Sequence, residues 1–181
     1  MLREFVADLR RTPPLARGES EMARLLSLAQ ASDGPTPALP SRPGTYTRTR
    51  AYADDRFEVL LLDWSPGASS AIHDHGGQHC WFVVLQGRLR VDDYIRVDAR
   101  DVRGRAWLEA GGSRRLEPGD LDVRSGPFDI HRVAAADDSR CVSLHVYARP
   151  LLGYLTYDER THRCQPARGT YDRLLSLFAS E

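Results

Sequence analysis

The chain has 181 residues, 41% of them hydrophobic, which is enough to build one ordinary core and therefore one domain. Its 25 basic and 25 acidic residues balance, so no net field draws it to nucleic acid, to an anionic membrane or to a strongly charged macromolecule. No apolar run at the start reaches signal-peptide or membrane-spanning length, which leaves a small molecule as the expected partner and the cytoplasm as the expected compartment. Cys80, Cys141 and Cys164 are odd in number and lack C-x-x-C spacing, which argues against a disulfide framework and against a thiolate zinc site. Every basic residue is arginine and asparagine is absent, a bias expected of a GC-rich bacterial genome.

In chain order the first element is helical: Met22, Leu25, Leu26 and Ala29 share one face of a run that Ser20 can cap. Such a helix should lie across the outside of the remaining fold. Pro35, Pro37, Pro40 and Pro43 break it, so residues 32–44 read as a connection. β-prone segments follow at 45–52, 57–64, 79–86, 88–97, 105–110, 121–123, 130–134, 140–148 and 154–157. Turn formers such as Ser65-Pro66-Gly67, Gly111-Gly112 and Glu117-Pro118-Gly119-Asp120 separate them. Many short, evenly punctuated strands predict an all-β sandwich or barrel. Residues 171–178, with Leu174, Leu175 and Phe178 apolar, read as a closing helix. The domain plan is thus a helical extension and connection over 1–44, a barrel over 45–168 and a C-terminal helix over 169–181.

The segment from Gly67 through His73-Asp74-His75 to Gly76-Gly77-Gln78-His79-Cys80 is the most informative. Two histidines one residue apart on a strand project from the same face, so both imidazoles can reach one ion. A third neutral donor must come from elsewhere, and His131, after the Pro118-Gly119-Asp120 turn and at a separation suited to a neighbouring strand, is the choice. Asp74 and His79 fall off this pattern and read as structural, and His162 as a surface residue. In residues 141–147 a period of two puts Ser143, His145 and Tyr147 on one face and Val142, Leu144 and Val146 on the other. That polar row suits either a cavity or water.

The glycine-framed H-x-H, with His131 as a later partner, resembles the motifs of a cupin. Cys80 stands where the first cupin motif has a glutamate. That departure, with Leu85-Gln86-Gly87, Tyr46-Thr47-Arg48, Trp64, His131-Arg132-Val133 and Ser143-Leu144-His145-Val146-Tyr147, resembles cysteine dioxygenase over the middle two thirds of the chain. The resemblance implies a single cupin barrel, a double-stranded β-helix, holding Fe(II) on His73, His75 and His131. Three neutral ligands leave the ion its full charge and an open face. L-cysteine would complete it through thiolate and amine, and O2 would react beside the sulfur to give cysteine sulfinic acid. The resemblance further implies that Arg48, with Tyr46 as its neighbour, receives the substrate carboxylate in a planar fork. It makes Ser143, His145 and Tyr147 a relay behind the substrate, and it offers a thioether cross-link between Cys80 and Tyr147. Ala135 stands where the animal form usually has Asn. A monomer is expected. The competing readings are a 3-mercaptopropionate dioxygenase, in which Gln usually replaces the arginine, and a non-catalytic metal-holding cupin.

Overall fold

The computed structural model describes residues 2–31, 38–99, 102–126 and 129–178. Two helices open the chain, α1 (Leu2–Arg11) and α2 (Glu19–Ala31), joined by a 3-10 turn at Pro14–Ala16. The predicted face of α2 is the buried one: Met22, Leu26 and Ala29 are in the core and Leu25 packs beside them. The helix begins before Ser20. The Gly18 carbonyl accepts the Met22 N–H, which leaves Ser20 inside the first turn and not at the cap. Pro40 and Pro43 lie in irregular chain, and Pro35 and Pro37 fall outside the described residues.

Twelve strands follow among the described residues: β1 (Tyr46–Ala53), β2 (Glu58–Trp64), β3 (Ile72–His73), β4 (Cys80–Gln86), β5 (Leu89–Arg96), β6 (Leu108–Leu116), β7 (Leu121–Arg124), β8 (Ile130–Ala135), β9 (Cys141–Tyr147), β10 (Tyr154–Asp158), β11 (Arg163–Ala167) and β12 (Arg173–Leu174). They form two six-stranded sheets, ordered β12-β1-β2-β9-β4-β7 and β11-β10-β3-β8-β5-β6.

The alternation of side chains explains how the layers stack. On the first sheet Val59, Leu61, Trp81, Val83, Leu144 and Val146 face outward and pack on Phe5, Val6, Leu9, Met22 and Leu26 of the two helices. Their neighbours Leu60, Leu62, Trp64, Phe82 and Tyr147 face inward and meet Leu89, Val91, Leu116 and Val133 of the second sheet. Both faces of β2 and β9 are therefore covered, and every residue of each strand is buried. Each large apolar side chain so buried contributes about 1.5–3 kcal/mol, which is why the sheet requires its helical cover. The polar row of β9 consequently lies inside the sandwich, away from water.

Three readings of the sequence are corrected. Gly111 and Gly112 do not separate strands. They lie within β6, where the register slips between Asp93 and Tyr94 of β5 and Gly112 takes φ 145, so the pair accommodates a bulge. β11 was missed because its Pro166 lowers strand propensity, yet Pro is tolerated there because β11 is an edge strand. The C-terminal helix over residues 171–178 does not form. Arg173–Leu174 instead adds to β1 as a parallel strand, with the Asp172 and Leu175 N–H groups donating to the carbonyls of Arg48 and Arg50. An eight-residue run carries the full cost of helix nucleation, whereas the β1 edge offers acceptors already in place. Among the described residues no helix is long and apolar enough to cross a membrane.

Candidate metal centre and its cavity

His73 ends β3, and its backbone pairs directly with His131 of β8. His75 lies just beyond the two-residue β3, outside regular strand, yet its ring converges with those of His73 and His131. The three rings sit with centroids 4.7 to 5.3 Å apart, and their ligand nitrogens all lie within 4.8 Å of one another. The His73 Nδ1–H donates to the Ala71 carbonyl at 2.9 Å. Since a carbonyl can only accept, this bond fixes the tautomer and leaves Nε2 free with its lone pair. Burial lowers the proton affinity of all three rings, that of His75 and His131 well below the usual histidine range. Neutral imidazoles are the form that binds a metal.

The intervening Asp74 works for the backbone. Its carboxylate accepts from the N–H groups of Gly76 (3.0 Å) and Leu155 (2.9 Å) and from the Tyr157 hydroxyl (2.7 Å), which ties the ligand loop to β10. Gly76 has φ 62, and a Cβ there would stand 2.5 Å from the Gly153 carbonyl oxygen, so only glycine lets the loop approach so closely. On the His131 side, buried Arg124 donates to Asp122 (2.6 Å), Asp93 (2.7 Å) and Asp129 (2.8 Å), joining the two sheets two residues before the ligand. His79 stacks on Trp81, away from the centre. His162 is half-buried against Trp107 and is not the surface residue expected.

The three rings open into a cavity of about 40 Å³, room for roughly three waters. Tyr46, Arg48, Trp64, His145, Tyr147 and Tyr154 contribute to its wall. Arg48 supplies the only charged side chain among the described lining residues. It is only 8% exposed, and its Nη2 is buried without a hydrogen-bond partner. An unpaired buried cation is costly unless an anion joins it. Tyr46 stacks on Trp64 with centroids 4.6 Å apart.

The row on β9 is a hydrogen-bonded chain for two of its three members. The Trp64 indole N–H donates to the Ser143 hydroxyl oxygen at 2.9 Å, and Ser143 in turn lies 2.9 Å from His145 Nε2. Trp64, Ser143 and His145 thus form one continuous hydrogen-bonded row inside the sandwich. The His145 and Tyr147 rings lie nearly parallel, 6.3 Å apart. Cys80 of β4 is directly opposite Tyr147 of β9 in register, and the two side chains are close enough to influence each other's ionisation. Burial pushes the Cys80 thiol far up, so it is not a thiolate at neutral pH.

Tyr154, Glu58 and Tyr171 also belong to this region and were not found from sequence. Tyr154 comes seven residues after Tyr147 with no motif to mark it, and Glu58 and Tyr171 meet only in three dimensions.

Burial lowers the His145 pKa to about 3. In the unfolded chain it returns to about 6.5, so the unfolded state binds more protons between these values and stability must fall as pH drops through that window. Metal-free protein should lose about 2 kcal/mol from His145 alone between pH 7.5 and pH 5, a fall in melting temperature of roughly 4 to 8 °C. Carboxylates of ordinary pKa stay ionised over that interval. A melting temperature that does not fall, or a His145→Gln variant that falls as far as the parent, would contradict the buried neutral histidine.

Two facing, largely antiparallel sheets closed around a three-histidine cluster define a cupin. Within that class the model of the family "Cysteine dioxygenase type I" matches residues 41–160. The chain belongs to the cysteine dioxygenase type I family. It is 28% identical over 130 residues to cysteine dioxygenase type 1 of Danio rerio, covering 70% of this chain and 63% of that protein. The Rattus norvegicus protein is 29% identical over 128 residues, 68% and 62% of the two chains, and the Homo sapiens protein 27% over 145 residues, 78% and 70%. The chain thus spans less than two thirds of the length of the first two. Among solved structures, a protein with a double-stranded β-helix domain from Klebsiella pneumoniae matches with 18% identity and a TM-score of 0.49, over 66% of this chain and 90% of that one.

Proposed function

We propose that the protein is an Fe(II)-dependent dioxygenase that converts free L-cysteine and O2 to cysteine sulfinic acid. The observation that carries this reading is the charge of the cavity: three neutral histidines and one buried cation, with no acidic side chain among the described lining residues. A divalent ion placed there calls for anions, and the substrate must bring them. A small molecule with a thiolate at one end and a carboxylate at the other satisfies both the metal and Arg48.

The donor set fits a metal, since the three nitrogens converge and the His73 tautomer is fixed by the Ala71 carbonyl. Bound iron would supply the redox activity that dioxygen chemistry needs and zinc lacks, with open positions for the substrate's thiolate and amine. Arg48 holds the carboxylate and so orients the sulfur. The hydrogen bond between Ser143 and His145 holds His145 in one wall of the cavity, which Tyr147 also lines beside the ligand histidines. Leu62, Val133 and Leu151 supply apolar parts of the cavity wall. In the overall change both oxygen atoms of O2 join the sulfur and the thiol proton is released. Oxygen uptake with L-cysteine, cysteamine and 3-mercaptopropionate tests the substrate. L-cysteine should be preferred by at least about tenfold over cysteamine, which lacks the carboxylate. Equal or faster turnover of 3-mercaptopropionate would assign the enzyme to that thiol instead.

The cross-strand pairing of Cys80 and Tyr147 supports a thioether between them. The bond would join sulfur to a ring carbon, with the thiol hydrogen and the ring hydrogen leaving and their two electrons passing to O2. Because Cys80 is protonated, the bond should accumulate only during oxygen-dependent turnover of the iron-loaded protein, as a species lighter by two hydrogens that runs faster in denaturing gels. Recovery of only separate Cys80 and Tyr147 peptides after many turnovers would exclude it.

A further inference from the structure

The segment from Gly169 to Leu175 lies outside the matched family region and folds back over the strand that carries Arg48. Its contacts converge on that residue. The Asp172 carboxylate accepts the Arg48 backbone N–H at 2.9 Å, and the Asp172 N–H returns a bond to the Arg48 carbonyl at 2.9 Å. The Tyr171 ring lies 5.6 Å from the Arg48 guanidinium and 4.7 Å from that of Arg50. Its hydroxyl donates to Glu58, a fully buried carboxylate whose other oxygen accepts the Leu151 N–H at 3.2 Å. Gly169 presses on the guanidinium itself: a Cβ there would stand 3.3 and 3.4 Å from the two Arg48 Nη atoms and 3.1 Å from the Leu151 carbonyl oxygen.

We infer that residues 169–175 form a strap that positions the Arg48 fork and so sets the preference for a carboxylate-bearing thiol. The inference rests on the reading of Arg48 as the carboxylate site. The physical ground is that Arg48 has a buried Nη2 with no hydrogen-bond partner. No carboxylate holds that end of the side chain in place, so its orientation is left to packing by Gly169 and Tyr171. A guanidinium rewards a planar two-point contact only when it is held in the right plane. The strap is a positioning element and touches no reacting atom.

Two variants separate positioning from general stability. Gly169 has no positive φ, so Gly169→Ala is tolerated by the backbone and acts through crowding alone. Tyr171→Phe keeps the ring over Arg48 and Arg50 and removes the hydroxyl that donates to Glu58. Both are compared with Arg48→Ala in iron-loaded protein, by KM and kcat for L-cysteine and for cysteamine, and by anaerobic calorimetric titration with the same two thiols. For L-cysteine, KM and Kd should rise roughly twofold to tenfold in both strap variants. The kcat should hold, and neither constant should change for cysteamine. Equal losses for the two thiols would make the strap merely structural and overturn the inference. Unchanged constants in the strap variants while Arg48→Ala loses its cysteine preference would overturn the strap and leave the Arg48 reading standing. An Arg48→Ala protein with unchanged constants would end both.

Discussion

In protein loaded with Fe(II), replacing His73, His75 or His131 with Ala should release most of the ion and abolish nearly all oxygen uptake. The three nitrogens lie within 4.8 Å of one another and come from two separate stretches of chain, so each would supply one third of the ligand set proposed for the metal. Two neutral imidazoles without a carboxylate hold a divalent ion weakly. Changing residues that merely orient a metal ligand commonly costs 10- to 100-fold in affinity, so losing a ligand should exceed about 100-fold. His73 can be separated further, because its ring is oriented by the Ala71 carbonyl and its backbone sits opposite His131. Metal analysis after dialysis, with circular dichroism to confirm the β fold, is the measurement. Full iron occupancy in all three single variants would place the metal elsewhere.

Arg48→Ala should raise KM for L-cysteine and leave iron content unchanged. Arg48 is buried and lines the small cavity, one of its guanidinium nitrogens has no hydrogen-bond partner, and no other charged side chain lines that cavity among the described residues. Losing a hydrogen bond to a charged group costs about 1.5 to 3 kcal/mol, equivalent to a 10- to 150-fold drop in kcat/KM. The loss should appear for L-cysteine and be absent for cysteamine, which has no carboxylate to hold. Equal kcat/KM for L-cysteine in variant and parent would remove Arg48 from the carboxylate site.

The sequence was most legible where a period or a spacing maps directly onto geometry. His73 and His75 came from H-x-H spacing, although His75 lies beyond the strand, and the shared face of Ser143, His145 and Tyr147 came from alternation on β9, where strand geometry turns sequence parity into a face. Which face was wet could not be read from that parity. It depended on α1 and α2 covering the outer side of the sheet, a tertiary fact. The burial of Asp74 and its role in tying the ligand loop to β10 depended on Tyr157 and Leu155, about eighty residues away. The C-terminal run failed as a helix for a similar reason: its apolar spacing is local, but the unpaired edge of β1 that captured it is not. Glu58 and Tyr171, 113 positions apart, meet only because β2 and the returning chain flank β1.

The most direct measurement supplies iron-loaded protein with L-cysteine under isotopically labelled O2 and follows both oxygen consumption and the sulfur product. One O2 should be consumed for each cysteine sulfinic acid formed, with label in both sulfinate oxygens and no turnover in protein stripped of iron. Label in only one oxygen, a disulfide as the product, or equal rates without metal would contradict dioxygenation at the three-histidine centre.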